Sequence, residues 1–203
     1  MYRKIMSYLE EWKNSEHRKP LILEGARQVG KTYAILEFGH THYENVAYFN
    51  FETDPRLCET FKENISPDYL IPILSRICNQ SIIKEKTLIV LDEIQLCERA
   101  LSSLKYFYEN APEYHVIVAG SLLGIAVNRS HFSFPVGKVD IKTLYPMDLE
   151  EFMLALGENE LVNLIRKSFA ENIPLPSALH DEALKIYHQY LVVGGMPECV
   201  MQF

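Results

Sequence analysis

Residues Leu21-Ile22-Leu23-Glu24-Gly25-Ala26-Arg27-Gln28-Val29-Gly30-Lys31-Thr32 join a short apolar run to a glycine-bounded turn, and the pattern from Lys31 to Phe38 is helical. The run from Pro20 to Glu24 reads as a buried strand feeding a tight turn. Residues 25–32 match G-x-x-x-x-G-K-[ST] in full. A chance match in a chain of this length is roughly a one-in-a-hundred event. Strand, loop and helix in that order are what the chemistry of a phosphate-binding loop needs. Gly25 and Gly30 lack a Cβ, so the backbone can take left-handed angles and turn successive N–H groups toward one anion. The helix from Lys31 adds its positive end. Lys31 can set an ammonium against the β and γ phosphates, and the Thr32 hydroxyl can ligate a Mg²⁺ bridging them. The expected nucleotide contacts are therefore Gly25, Ala26, Arg27, Gln28, Val29, Gly30, Lys31, Thr32 and Tyr33.

Such a loop needs a second carboxylate for the metal. Leu88-Ile89-Val90-Leu91-Asp92-Glu93 supplies one at the end of an apolar strand. Asp92 is expected to hold Mg²⁺ through water. Strand alternation would send Glu93 the other way, yet both acids can reach a cleft where the strand ends. Glu93 is then the candidate base that orients and polarises the attacking water. A third element, His115-Val116-Ile117-Val118-Ala119-Gly120-Ser121, ends in a hydroxyl that would lie beside the loop. Ser121 either bonds the γ-phosphate or the attacking water, or caps the helix expected from Leu122. A serine-hydrolase elbow is poorly supported, because Ala119 stands where G-x-S-x-G needs glycine.

Outward from these motifs the pattern alternates. An amphipathic helix opens the chain with Ile5, Met6, Leu9 and Trp12 at helical spacing. Asn45–Phe51 reads as a strand, Asp54–Asn64 and Pro67–Asn79 as helices, and Thr87–Leu91 as a fully apolar strand. A helix over Glu98–Asn110 and a strand over His115–Ala119 follow, and Lys138–Leu144 can supply one more strand. Strands separated by helices of this length predict an α/β sandwich, a parallel sheet with helices on both faces. From Asp148 onward the periodicity is helical only, over Leu149–Leu156, Leu161–Phe169 and Ala178–Val193. A boundary near Pro146 divides a core, residues 1–146, from a small helical lid-like part, residues 147–203. The apolar ending Val200-Met201-Gln202-Phe203 directly follows the turn Gly194-Gly195-Met196-Pro197, and reads either as docked or as cut from something longer.

Composition narrows the function classes. The 203 residues fit one large domain or one domain with an appendage. Twenty Lys and Arg against 27 Asp and Glu leave a net charge of −7, which disfavours a general nucleic-acid coat. A local patch at Arg166 and Lys167 is the exception left open. Hydrophobic content of 48% and charged content of 23% are those of a globular domain, and no apolar run approaches a membrane span. The N-terminus has acids where a signal peptide needs an apolar stretch, so a cytoplasmic location is expected. Cys58, Cys78, Cys97 and Cys199 form no C-x-x-C pair and read as reduced, mostly buried thiols. His40-Thr41-His42 reads as a surface turn rather than a metal site. Glu52 is placed either to polarise a group in the cleft, to pair with Arg56, or plainly on the surface.

Together the loop at 25–32, Leu91-Asp92-Glu93-Ile94-Gln95, Ala119-Gly120-Ser121 and Gly194-Gly195-Met196-Pro197 resemble the additional-strand P-loop ATPases of the AAA superfamily. More narrowly, the chain is similar over nearly its whole length to a family of bacterial and archaeal AAA-type ATPases. In that family the P-loop domain precedes a C-terminal domain of unknown function. The resemblance implies a sheet of order 5-1-4-3-2 and Mg-dependent ATP binding and hydrolysis that moves an attached domain or a protein partner, and it leaves an oligomer open. It also favours ATP over GTP, as does the absence of an N-K-x-D segment. Two departures stand out. Family members usually continue past Gly-Gly-x-Pro, and they often carry arginine where this chain has Lys138, which cannot make a guanidinium's forked contact. Arg27, Arg56, Arg129 and Lys138 are the candidate cations for the charge that builds up in phosphoryl transfer, with Arg129 preferred. A nucleotide-dependent switch without turnover is the alternative. Phosphoryl transfer to a small acceptor ranks third, since no arginine cluster marks an acceptor lid.

Overall fold

The apolar run ahead of the loop forms β1, Leu21–Gly25, and every one of its residues is buried. A strand buried on both faces needs neighbours on both sides, and β1 has them. The computed structural model, which describes residues 1–121, 135 and 137–203, places β1 between β4, His115–Ser121, and β5, Asp140–Leu144. With β2, Asn45–Asn50, and β3, Thr87–Asp92, these make a five-stranded sheet of order β2-β3-β4-β1-β5, all pairs parallel. This is the order 5-1-4-3-2 read from the other edge.

Ahead of β1 runs α1, Ile5–Lys13, and between the strands run α2, Lys31–His42, α3, Arg56–Glu63, α4, Pro67–Ile77, and α5, Glu98–Asn110. Alternation along the strands divides the core. Ile22, Ala47, Phe49, Ile89, Leu91, Val116 and Val118 join Leu57 and Phe61 of α3, Leu70 and Leu74 of α4, and Leu104 and Phe107 of α5 in one hydrophobic cluster. The opposite face carries α2, whose Gly39 lies so close that an added Cβ would sit 2.6 Å from the Val46 side chain and 3.1 Å from that of Leu88. That approach leaves no room for a side chain at position 39, and α2 runs through Gly39 to His42. His40, Thr41 and His42 are therefore the helix's last turn and not a surface turn, and His42 stacks on Phe38 at 4.6 Å and reaches Glu10 at 3.3 Å.

The chain divides into two compact units, Ser7–Leu144 and a second that combines Met1–Met6 with Tyr145–Phe203. The second holds α6, Leu149–Ala155, α7, Asn159–Glu171, α8, Ser177–Val193, and α9, Pro197–Gln202. Asp148 and Glu151 cap α6 reciprocally, and Glu151 also accepts from Arg3 Nε at 3.2 Å in a buried ion pair. Met147, Phe152, Leu161, Ile186 and Val200 are its core. The Gly194-Gly195-Met196-Pro197 segment is more than a turn. Pro197 starts α9, and Gly195 lets the backbone pass Met147, whose N–H donates to the Gly195 carbonyl at 2.7 Å while a Cβ on Gly195 would lie 2.0 Å from the Met147 oxygen.

All four cysteines are free, but only Cys97 is buried, and Cys199 is exposed on α9, so the thiols are less buried than their apolar neighbours suggest. Burial and a hydrogen bond with the Cys58 thiol push the Cys97 thiol up to about 12. Among the described residues no helix is long and apolar enough to cross a membrane.

Candidate functional site

The sequence Gly25 to Thr32 folds as a loop because three residues take conformations that ordinary strands and helices do not. Gly25 has φ +154, and a Cβ there would lie 2.3 Å from the Leu144 carbonyl oxygen of β5. Gly30, at φ 94, caps α2 in the left-handed region without any side-chain hydrogen bond to the helix. Gln28 is also left-handed, at φ 62, a turn that glycine spacing did not reveal. An α2 start with no side-chain cap leaves first-turn N–H groups for an anion.

Lys31 is almost wholly buried, and its Nζ donates to the carbonyls of Gly25 at 3.1 Å and Ala26 at 2.8 Å. Burial pushes its pKa down, the Glu93 and Asp92 carboxylates oppose that shift, and Arg27 adds to it. The ammonium thus lies inside the loop, between its carbonyls and the acids of β3.

Asp92 ends β3 on the face that α2 covers. Its Oδ2 accepts from Thr32 Oγ1 at 2.8 Å, which joins the loop to the second motif directly. The same oxygen accepts from the Tyr48 hydroxyl at 2.8 Å, and Oδ1 accepts from the Glu93 N–H at 2.9 Å. Tyr48 is pushed up to about 12, first by burial, with the Asp92 carboxylate adding to it. Glu93 is left-handed, φ 53 and ψ 41, and opens a single turn of 3-10 helix, Ile94–Leu96. That left-handed residue is the physical reason Glu93 borders the cleft, while Asp92 does not border it and meets it through Thr32. The Glu93 carboxylate accepts from the Gln95 side-chain amide.

The cleft, about 420 Å³, is bordered by Arg27, Gln28, Gly30, Lys31, Thr32 and Tyr33 from the loop and α2, by Glu52 after β2, and by Glu93 after β3. Tyr33 is 56% exposed there. Gly25, Ala26 and Val29 shape the loop without bordering the cleft, Val29 as a fully buried anchor. Ser121 ends β4 opposite Gly25 in the strand register, which puts its backbone beside the loop. Its hydroxyl, and the whole of Arg129, lie outside the described residues. Lys138 is engaged elsewhere, with Glu109 at 3.0 Å and over the Tyr108 ring at 5.4 Å. Arg56 pairs with Asp54, at 2.8 and 2.9 Å, rather than with Glu52. Of the four candidate cations only Arg27 borders the cleft among the described residues.

Sequence reading missed Tyr48, Asn50 and Gln95. Asn50 faces Asp92 in the β2–β3 register, and its Oδ1 accepts the Glu52 and Thr53 N–H groups at 2.8 and 3.1 Å, which turns Glu52 toward the cleft. The available signal was their position, since polar groups at the carboxyl ends of parallel strands line such crevices. No group of three or more His, Cys, Asp or Glu among the described residues could hold a metal unaided. Thr32 and Asp92 nevertheless offer the hard oxygen donors that suit Mg²⁺ when phosphates complete its shell.

A solved structure shares the fold. The Aeropyrum pernix ORC2 protein, in ADPNP and ADP complexes, matches with a TM-score of 0.51 and 15% identity over 77% of this chain and 51% of that one. AMPPCP-bound DnaA from Aquifex aeolicus matches at 0.47 and 14% over 98% and 57%, and C. elegans PCH-2 at 0.45 and 12% over 86% and 49%. The chain thus spans about half the length of these structures. No curated protein matches it. The family described as "AAA domain" matches over residues 17–153, more than half of the chain and inclusive of the loop, Asp92, Glu93 and β5, and the chain belongs to that family.

Proposed function

We propose that this chain binds Mg·ATP in the cleft between the 25–33 loop and the ends of β2 and β3, hydrolyses it, and transmits the nucleotide state to an attached domain or partner. The observation that carries this reading is the 2.8 Å hydrogen bond from Thr32 to Asp92. It unites two motifs sixty residues apart at a cleft that also holds Lys31 and Glu93. Family membership supports nucleotide binding, and the hydrolytic role rests on Glu93.

Each residue has a physical task. The first turn of α2 and the loop N–H groups receive the phosphates. Lys31, already desolvated, exchanges the Gly25 and Ala26 carbonyls for phosphate oxygens, a stronger, charge-assisted pairing. Thr32 and Asp92 are the residues that would hold Mg²⁺, which when bound neutralises charge on the β and γ phosphates. Tyr33 and Arg27 flank the opening. Hydrolysis forms a bond from a water oxygen to the γ-phosphorus and breaks the bond to the bridging oxygen, releasing ADP and phosphate. Glu93 orients that water and accepts its proton once the carboxylate leaves the Gln95 amide.

The test is Glu93→Gln. Steady-state and single-turnover hydrolysis should fall about 10²- to 10⁴-fold, the range for loss of a general base, while nucleotide affinity stays within about twofold of the wild-type value. Unchanged turnover would remove Glu93 from the mechanism. Tight binding by the wild-type protein with no turnover at all would instead make it a nucleotide-dependent switch.

A further inference from the structure

Tyr48 has no counterpart in the motifs that mark the cleft, yet its hydroxyl reaches the one carboxylate to which Thr32 is bonded. Both hydroxyls meet at Asp92 Oδ2, each at 2.8 Å. With the Glu93 N–H on Oδ1, the carboxylate is held by three donors from three places: α2, β2 and the turn after β3. Three such contacts fix both the position and the rotation of the carboxyl plane, whereas Thr32 and the Glu93 N–H alone leave Oδ2 with one lateral support.

The direction of the hydrogen bonds is fixed as well. Asn50 Nδ2 donates to the Tyr48 oxygen at 3.2 Å. An amide nitrogen can only donate, so the phenol oxygen is the acceptor there, and an ionised carboxylate can only accept, so the phenol proton goes to Asp92. Asn50, Tyr48 and Asp92 thus form a one-way chain along one face of two paired strands, with Asn50 opposite Asp92 in register. Each link polarises the next.

We infer that Tyr48 is a positioning residue for the divalent cation: by holding Asp92 Oδ2 beside Thr32, it sets the protein's affinity for Mg²⁺ in the nucleotide complex. The inference rests on the reading of the cleft as a Mg·ATP site. Partners that orient a metal-binding carboxylate typically contribute 10- to 100-fold in metal affinity.

The experiment titrates Mg²⁺ against wild-type protein and Tyr48→Phe, in the full chain, with binding of a fluorescent non-hydrolysable ATP analogue as the readout. A phenyl ring keeps the packing and removes only the hydroxyl. The Mg²⁺ concentration for half-maximal binding should rise about tenfold in Tyr48→Phe, while analogue affinity in EDTA and the thermal midpoint stay at wild-type values. Mn²⁺, which N and O sites bind differently from Mg²⁺, should give its own curve with a rightward shift of the same sense. Superimposed Mg²⁺ curves would overturn the inference and leave the nucleotide site standing. So would equal weakening with and without Mg²⁺, the mark of a merely structural role. Wild-type binding indifferent to Mg²⁺ would overturn the reading of the site and the inference together.

Discussion

The two edges of the one sheet treat polar side chains in opposite ways. At the carboxyl edge, Thr32, Tyr48, Asp92 and Glu93 bond to each other or to nearby backbone beside an open cleft. At the amino edge, His115 is buried at the start of β4, its Nδ1 sharing a hydrogen bond with the Tyr43 hydroxyl at 2.6 Å and its ring meeting Trp12 edge-on at 6.1 Å. Trp12 Nε1 donates to the Lys19 carbonyl at 2.8 Å, and Arg18 donates to the carbonyls of Lys13 and Pro112. Burial, with Arg18 and Lys13 adding to it, holds His115 down at about 3, so it is neutral in the fold. Parallel strands put every carboxyl end, and the starts of the helices that follow, on one side. Charged groups therefore meet at an open cleft on that edge, whereas the buried imidazole of His115 is kept neutral at the other.

The comparison can be broken from either edge. The largest effect is expected at the seam that shapes the loop. Gly25→Ala sets a Cβ against the Leu144 carbonyl, 2.3 Å away before relaxation, and should cost about 3 kcal/mol of stability, the upper end for overpacking, together with nucleotide affinity. Urea unfolding and calorimetry on the same variant measure both, and a stable variant with normal affinity would show the loop to be less constrained than the close approach implies.

A graded effect, smaller over any one pH unit, is expected at the amino edge. The His115 pKa is lower in the fold, about 3, than in the unfolded chain, about 6.5. Between those values the unfolded chain binds the extra proton, so stability is fully present above pH 6.5 and is lost as the pH falls toward 3. The slope should approach about 1.4 kcal/mol per pH unit. Urea midpoints followed by fluorescence of Trp12, the single tryptophan, give that slope directly. His115→Gln should flatten it without changing nucleotide affinity at pH 7.5. A change in affinity would mean that the two edges are coupled rather than separate.

Much of this was legible in the sequence, for identifiable reasons. Strands buried on both faces, such as Leu88 to Leu91, announce themselves by composition, and the parallel sheet follows from their alternation with helices. That Gly25, Lys31, Thr32 and Asp92 come together was legible because the two motifs carry particular residue types at particular spacings. The rest depends on tertiary contact. Tyr48 and Asn50 matter only because β2 pairs with β3 in one register, and local sequence does not state a register. Glu93 faces the cleft through a left-handed backbone that a glutamate does not advertise. Gly39 looks like a helix end but marks where α2 touches the sheet. Gly195 looks like a turn but marks a backbone crossing at Met147.

The central claim is that Lys31 lies ready in this cleft for the phosphates of ATP. Calorimetric titration of ATP with Mg²⁺ into wild-type protein and Lys31→Ala tests it most directly. Saturable binding to the wild-type protein, weakened in Lys31→Ala by about 1.5–3 kcal/mol, or roughly 10- to 150-fold in affinity, is the predicted result. No binding to the wild-type protein, or equal binding to both proteins, would contradict it.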